Sequence, residues 1–413
     1  VDATAGSVRL GALSAAGTVV LATTDACNGA SVCVTAGGGP QSGTQTATID
    51  AIDAQAGAVL VAAPTVTLGA SPSRAVRVSG GKLVLRGVRA SGDIALAANG
   101  TQPSSGTLQT GLLDARRNLK LESVAGLGIA AADIGGTPES IDLSSSSGSV
   151  CVGALVDGVC TGQALSKNST AVTLTGRTGV VTGDLGAKRL QVRASEGASV
   201  SGAVTSAEGV DIAARDGVKT AGVTAQKGVS LVASSGTVDA GAVTARDGTV
   251  LLQGKTGVKA GAITQARTGG ALQAPDIDLI ADSGSVAVGA VSGTGSLRGR
   301  AFDDLSVGAV SGVDGVDLSA GKALAASGAI AARGAVGLRS DTAGMAVQDV
   351  TAGGAVTMTA RDALTAGAVV GATGTAGDVT LTSTAGALTV KSVTAGTSTV
   401  ASNATLLAKG KVG

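Results

Sequence analysis

The chain has 413 residues, 66 of them Gly and six Pro, with no Trp, Tyr or His and a single aromatic side chain, Phe302. Without His there is neither the usual general base near neutral pH nor the commonest zinc ligand. With 30 Lys and Arg against 29 Asp and Glu, charge alone gives a nucleic acid or other polyanion no reason to bind. An apolar fraction of 44% is too high for a solvated disordered chain. The Gly residues lack the three-residue period of collagen.

Taken in chain order, residues 1–170 form an irregular first region. Val1 opens inside an already patterned segment, and Lys409-Gly410-Lys411-Val412-Gly413 stops within one, as expected of a processed chain or an excised piece. No signal peptide and no run of about 18 apolar residues is present, so no membrane insertion by a helix is expected. Alternating apolar residues predict strands at Val19 to Leu21, Val59 to Val61, Leu83 to Leu85, Ile94 to Leu96, Leu119 to Leu121, Ile141 to Leu143 and Val172 to Leu174. Longer excursions separate them at 28–45, 100–106, 144–148 and 158–169. Two close Cys pairs, Cys27 with Cys33 and Cys151 with Cys160, bracket such excursions. Neither has the spacing of a redox or metal motif, which favours two local disulfides formed in an oxidising compartment, with crosslinks between subunits as the other option.

From 171 to 413 a repeat takes over, continuous with the first region. The phrase Gly-Ala-Val-Thr recurs in variant form, its Val or Ile at Val204, Val223, Val243, Ile263, Val291, Val310, Ile330, Val350, Val369 and Val393, in steps of 19, 20, 20, 28, 19, 20, 20, 19 and 24. A second column runs through Ile212, Leu231, Leu251, Leu279, Leu297, Leu318, Leu338, Met358 and Leu381. A third, looser one includes Val200, Val286, Val288, Leu305, Val307, Leu324, Met345, Val347, Leu364, Leu388 and Val390. Residues 265–275 are an insertion that accounts for the step of 28. Strands of three to five residues are punctuated by Gly or Asp-Gly, as at Asp216-Gly217 and Asp247-Gly248. No helical apolar face extends over ten residues.

Three short strands in each 19–20 residues predict one turn of an all-β, right-handed parallel β-helix, a β-solenoid. About twenty coils at about 4.8 Å each would make a rod of roughly 100 Å. A narrow interior suits Ala, Val and Leu.

Little in the sequence resembles chemistry. Gly254-Lys255-Thr256 shares the end of a phosphate loop, but Gly248 is one residue too far upstream and no helix follows. Asp303 with Asp304, and Asp276, Asp278 and Asp282, are the candidate acid/base carboxylates of a carbohydrate-active β-helix. Asp276 and Asp278, alternating with Ile277 and Leu279, are expected to point outward. With no aromatic platform for a sugar, no catalytic residue, cofactor or metal site is assigned, and the chain is not expected to be an enzyme. Thr205, Thr224, Thr244, Thr264, Ser292, Ser311, Thr351 and Thr394 form one outward column, interrupted by Ala331 and Val370. An ice-binding face generally needs two such columns, and strand preference explains one. The Arg-Asp pairs at 215–216, 246–247 and 361–362 are expected to be solvated turns. Asn99, Asn168 and Asn403 head N-glycosylation sequons.

The unit Gly222 to Gly241, with Val223, Leu231 and Val238 at its repeating positions, resembles the shaft repeats of filamentous haemagglutinin-like bacterial exoproteins of two-partner secretion. The likeness is clear from about 170 to 400. It implies a right-handed β-helix, export through an outer-membrane transporter and a role in adhesion or display at the bacterial surface. The family's Asn-Pro-Asn secretion motifs are missing here, so the likeness is to the shaft alone. The expected function is a structural extracellular rod, an adhesin shaft or fibre that meets surface glycans or receptors through its excursions at 28–45, 100–106, 158–169 and 265–275. The outward side chains of the regular coils are the second choice for contacts. The alternative is a filament subunit, of a sheath or biofilm matrix, that stacks end to end with other copies of itself, because solenoid ends leave strand edges unpaired. A carbohydrate-active enzyme comes third.

Overall fold

The structure is a computed structural model. It describes strand backbone at 2–3, 8–15, 19–22, 32–36, 46–54, 58–68, 72–73 and 75–90, the side chain of Val88, and backbone with side chains over 92–98, 107–124, 128–156, 159–165, 169–266, 276–371, 377–396 and 402–410. The described residues contain strands and turns and no helix, so none is long and apolar enough to cross a membrane. The chain divides into two compact units, Val1–Ala207 and Glu208–Gly413. Each is a stack of parallel coils, a β-solenoid.

In the first unit the alternation of Ile94-Ala95-Leu96 sends one apolar side chain in for each side chain sent out. Parallel pairing then stacks like on like. Ile94, Leu119, Ile141, Val172 and Leu190 follow one another in register, beside Leu96, Leu121, Leu143, Leu174 and Val192. All ten are at most 1% exposed. The chain between successive members varies in length, yet the stack stays aligned because the extra residues leave at corners. All seven predicted strand cores of this region lie within strands.

The second unit is more regular, and three strand faces enclose its core. The third face carries the predicted Val/Ile column in unbroken register, Val223, Val243, Ile263, Val291, Val310, Ile330, Val350, Val369 and Val393, with the step of 28 aligned like the others. Some strands are longer than the expected three to five residues. Gly217–Ala225 and Thr237–Ala245 each run nine, because the corner between the second and third faces is shallow enough to keep pairing.

Two members of the second predicted column are wrong. Leu252, fully buried, pairs with Leu231 and Leu279, whereas Leu251 faces outward opposite Ser230. At the next irregularity Gly299, not Leu297, lies between Leu279 and Leu318. Leu297 belongs to the neighbouring column with Ile277 and Val316. Before Leu252 the turn is one residue longer than before Leu231, and a shift of one reverses the inward set; at the second place Leu297 is itself inward and the site two residues on is held by a glycine. Gly299 supplies no side chain because the space is taken: a Cβ there would lie 2.8 Å from Leu318 Cδ2 and 3.2 Å from Leu305 Cδ1.

Corners bring backbones closer than any side chain allows. A Cβ on Gly236 would stand 1.5 Å from the Asp216 carbonyl oxygen of the coil before it. On the third face the register shifts between Val310 and Val313, where Gly312 takes a φ of 73° that glycine alone adopts freely.

Candidate functional site

The five candidate carboxylates do not converge on a reacting centre; the four whose contacts are described below are tied into the stack. Asp276 is a correction: it is 4% exposed rather than outward, and its carboxylate accepts the Ser296 N–H at 3.1 Å. Asp278 does face outward, and it takes up Arg298 of the next coil through two hydrogen bonds, one of them 2.8 Å from Nε. Asp303 pairs with Lys322 at 2.8 Å, and Asp304 Oδ1 accepts the Ala323 N–H at 3.0 Å. Asp282 is an exposed corner residue. The Asp304 arrangement recurs: Asp184, Asp349 and Asp378 accept the N–H of Ala203, Ala368 and Asn403 on the following coil at 2.6, 2.8 and 2.9 Å. These corner carboxylates satisfy amides that turn away from the ladder.

Gly254-Lys255-Thr256 forms a corner whose amides are already used. The Lys255 N–H donates to the Ala233 carbonyl at 3.0 Å and the Thr256 N–H to that of Gly236 at 3.1 Å. A phosphate cradle needs those donors free. The Arg-Asp corners are exposed as expected. Arg215 lies 2.7 Å from Asp216 and its hydrogen bond holds that carboxyl below the ordinary range.

The described corner excursions are where the two units depart from their repeat. In the first unit Cys151 and Cys160 form a disulfide with their Cα atoms 5.7 Å apart. It fastens an antiparallel hairpin, Leu155–Val156 with Val159–Cys160, that is separate from the main sheet. Val156 and Val159 face one another across it, 56% and 69% exposed. Gly153 and Gly162, both at positive φ, turn the chain out and back, and Leu165 rejoins the stack beside Leu185. Fully buried Ser169 closes the excursion by donating its hydroxyl to the Pro138 carbonyl at 2.7 Å. Cys27, the side chain of Cys33, Asn99, Asn168, and the excursions at 28–31, 37–45 and 100–106 lie outside the described residues. Asn403 is exposed.

In the second unit the insertion at 267–275 lies outside the described residues, but its base does not. Gln265 is 1% exposed at an inward position that Ala245 fills one coil earlier. Its Nε2 donates to the Gly248 carbonyl at 2.9 Å, and its Oε1 accepts the N–H groups of Thr294 and Gly295, both at 3.2 Å. With Asp276 at the other side, the insertion is anchored by two buried polar side chains. Sequence reasoning missed this, although a Gln in a column of Ala and Gly is a visible break.

The outward Thr/Ser column pairs as expected from Thr224 to Ser292. A second array is present on the face formed by Val356–Ala360, Val379–Ser383 and Ala404–Ala408: Thr357 and Thr359 stand opposite Thr380 and Thr382, with Thr405 beyond and Leu407 in place of a further Thr.

No protein-family model matches this chain, and neither a curated protein nor a solved structure matches it at a significant level.

Proposed function

We propose that this chain is the structural shaft of a bacterial surface or secreted exoprotein, a β-solenoid rod that acts in adhesion or fibre formation by presenting its corner excursions. One observation supports this most: the core columns keep register across both the excursion closed by Ser169 and the step of 28, and buried groups fasten the base of each. Ile263 still pairs with Val291 across 28 residues, held by Gln265 and Asp276. A solenoid tolerates insertions at corners without disturbing its stack, and such loops are where contact residues collect. The repeat style resembles the shafts of filamentous haemagglutinin-like proteins, which favours the outside of a bacterial cell and receptor or glycan contacts.

The test displays the chain on a non-adherent bacterium and counts attachment to epithelial cells and to abiotic surfaces. Attachment that falls on replacement of the exposed Val156 and Val159 by Ser, or on deletion of residues 267–275, with the melting temperature held, supports display by excursions. Attachment equal to that of the bare strain, or unchanged by both changes, overturns it. Electron microscopy of the purified chain separates a shaft from the alternative: isolated particles fit the shaft, and fibres lengthening with concentration fit end-to-end assembly with other copies.

A further inference from the structure

On the second face of the second unit, the strands Thr237–Ala245, Gly257–Ala260 and Ser285–Val288 lie side by side. Their outward residues form two short columns. Thr237, Gly257 and Ser285 make one; Asp239, Lys259 and Ala287 make the other. Gly257 brings no side chain to the middle of the first column and Ala287 only a methyl group to the end of the second. The result is an open hollow of about 390 Å³ floored by Gly257 and bordered by Thr237, Asp239, Lys259, Ser285 and Asp303.

The border defines what fits. Asp303 is neutralised by Lys322 at 2.8 Å, while the ion pairs among the described residues leave Asp239 and Lys259 untied. Within the border one free carboxylate and one free ammonium balance each other; Lys219, opposite Asp239 on the coil before, lies outside it. A phosphate or sulfate attracted by Lys259 would meet Asp239, and a cation attracted by Asp239 would meet Lys259. A group that both donates and accepts satisfies the carboxylate, the ammonium and the flanking hydroxyls together, and the alcohol hydroxyl is such a group. The volume lies within the range of small-molecule sites.

We propose that this hollow binds a neutral polyhydroxylated ligand, a sugar of one or two rings, through hydrogen bonds alone. Lys259 donates to ring hydroxyls, Asp239 accepts from them, and Thr237 serves in either sense. Lacking an aromatic platform, the site is weak, with dissociation constants in the millimolar range. The proposal shares its ligand class with the glycan contacts of the adhesion reading but places them on a regular strand face instead of a corner excursion, so a failed titration leaves display by the excursions untouched.

The experiment follows amide chemical shifts of the isotope-labelled full chain during titration with glucose, galactose and N-acetylglucosamine, and separately with inorganic phosphate and calcium chloride. At least one sugar is expected to shift the amides of Gly257, Lys259 and Ser285 saturably, with phosphate and calcium leaving them unmoved. Gly257→Val, which fills the hollow, and the surface pair Asp239→Asn with Lys259→Met should each weaken that binding tenfold or more. Both side chains of the pair face outward, so it serves if Gly257→Val does not fold. No shift with any of the three sugars, saturation by phosphate or calcium instead, or variants that bind as the parent does would overturn the proposal.

Discussion

Asp278 and Arg298 are twenty residues apart in sequence and directly opposite one another on successive coils, where the guanidinium donates to both carboxylate oxygens. Their side chains are 13% and 30% exposed, and the next coil places Asp317 opposite Arg298. The second face alternates in the same way, Lys219, Asp239, Lys259. In a stack whose interior is nearly the same in every coil, a slip of one coil costs little inside. Outside, it would set like charge against like, so these ladders specify register.

The Asp278–Arg298 pair should therefore be measurable where exposed pairs are not. A double-mutant cycle with Asp278→Asn and Arg298→Met is expected to give a coupling of about 1 kcal/mol in chemical denaturation. The Lys120–Glu122 pair, 51% and 46% exposed, should give no more than about 0.5 kcal/mol. Equal coupling in the two cycles would contradict the assignment.

Glycine substitutions should separate by what surrounds them. Gly236→Ala drives a methyl group into the Asp216 carbonyl and should destabilise by about 3 kcal/mol. Gly299→Ala meets only the ends of two leucine side chains, which can move, and should cost about 1 kcal/mol. At Gly209 the nearest atom would be 3.4 Å away, and Ala should be close to neutral. Thermal melts of the three variants rank them directly.

Thr220 is 4% exposed and its hydroxyl has no partner. Buried Ser340, by contrast, donates to the Ala343 carbonyl at 2.9 Å. Thr220→Val keeps the shape and removes the stranded hydroxyl, so it should stabilise by about 1 kcal/mol, whereas Ser340→Ala should destabilise by a similar amount. A Thr220→Val variant that melts below the parent would show that the hydroxyl is satisfied after all.

Burial raises the carboxyl of Asp142 above its ordinary 3.8, with Lys120 opposing and Glu122 adding to the shift. Its folded-state pKa thus exceeds the unfolded one, and ionised Asp142 weighs against folding at neutral pH. That penalty is relieved as pH falls through the folded value and is gone below about 3.8. Asp142→Asn should stabilise the chain by a few tenths of a kcal/mol at pH 7, small because the group is half-exposed and screened. The gain should vanish near pH 3. A gain that persists there, or a loss at pH 7, would count against it.

Much of this fold was legible because a solenoid writes its core into the sequence at a fixed interval. The column from Val223 to Val393 could be read directly, since most members precede a Thr, Ser or Ala and follow Gly-Ala or Ala-Gly. Leu251 and Leu297 misled for two different reasons. Leu251 is an outward Leu that a turn one residue longer brings next to the inward site, whereas Leu297 is inward but belongs to the neighbouring column, the predicted column being held at that coil by Gly299. Gly299 was invisible because its neighbours fill its space. The site features were harder still. Gln265 and Asp276 act through contacts with coils twenty to thirty residues away, and the hollow at Gly257 exists only once three coils are side by side. The Cys151–Cys160 pairing, a local contact, was readable from spacing.

The most direct test of the stacked-coil account is methyl–methyl contact measurement by NMR in a chain labelled at Ile, Leu and Val. It predicts strong cross-peaks between Val243 and Ile263, and between Ile263 and Val291 despite their 28-residue separation, with none directly between Val243 and Val291. A missing Ile263–Val291 contact would contradict the claim that insertions leave the stack in register.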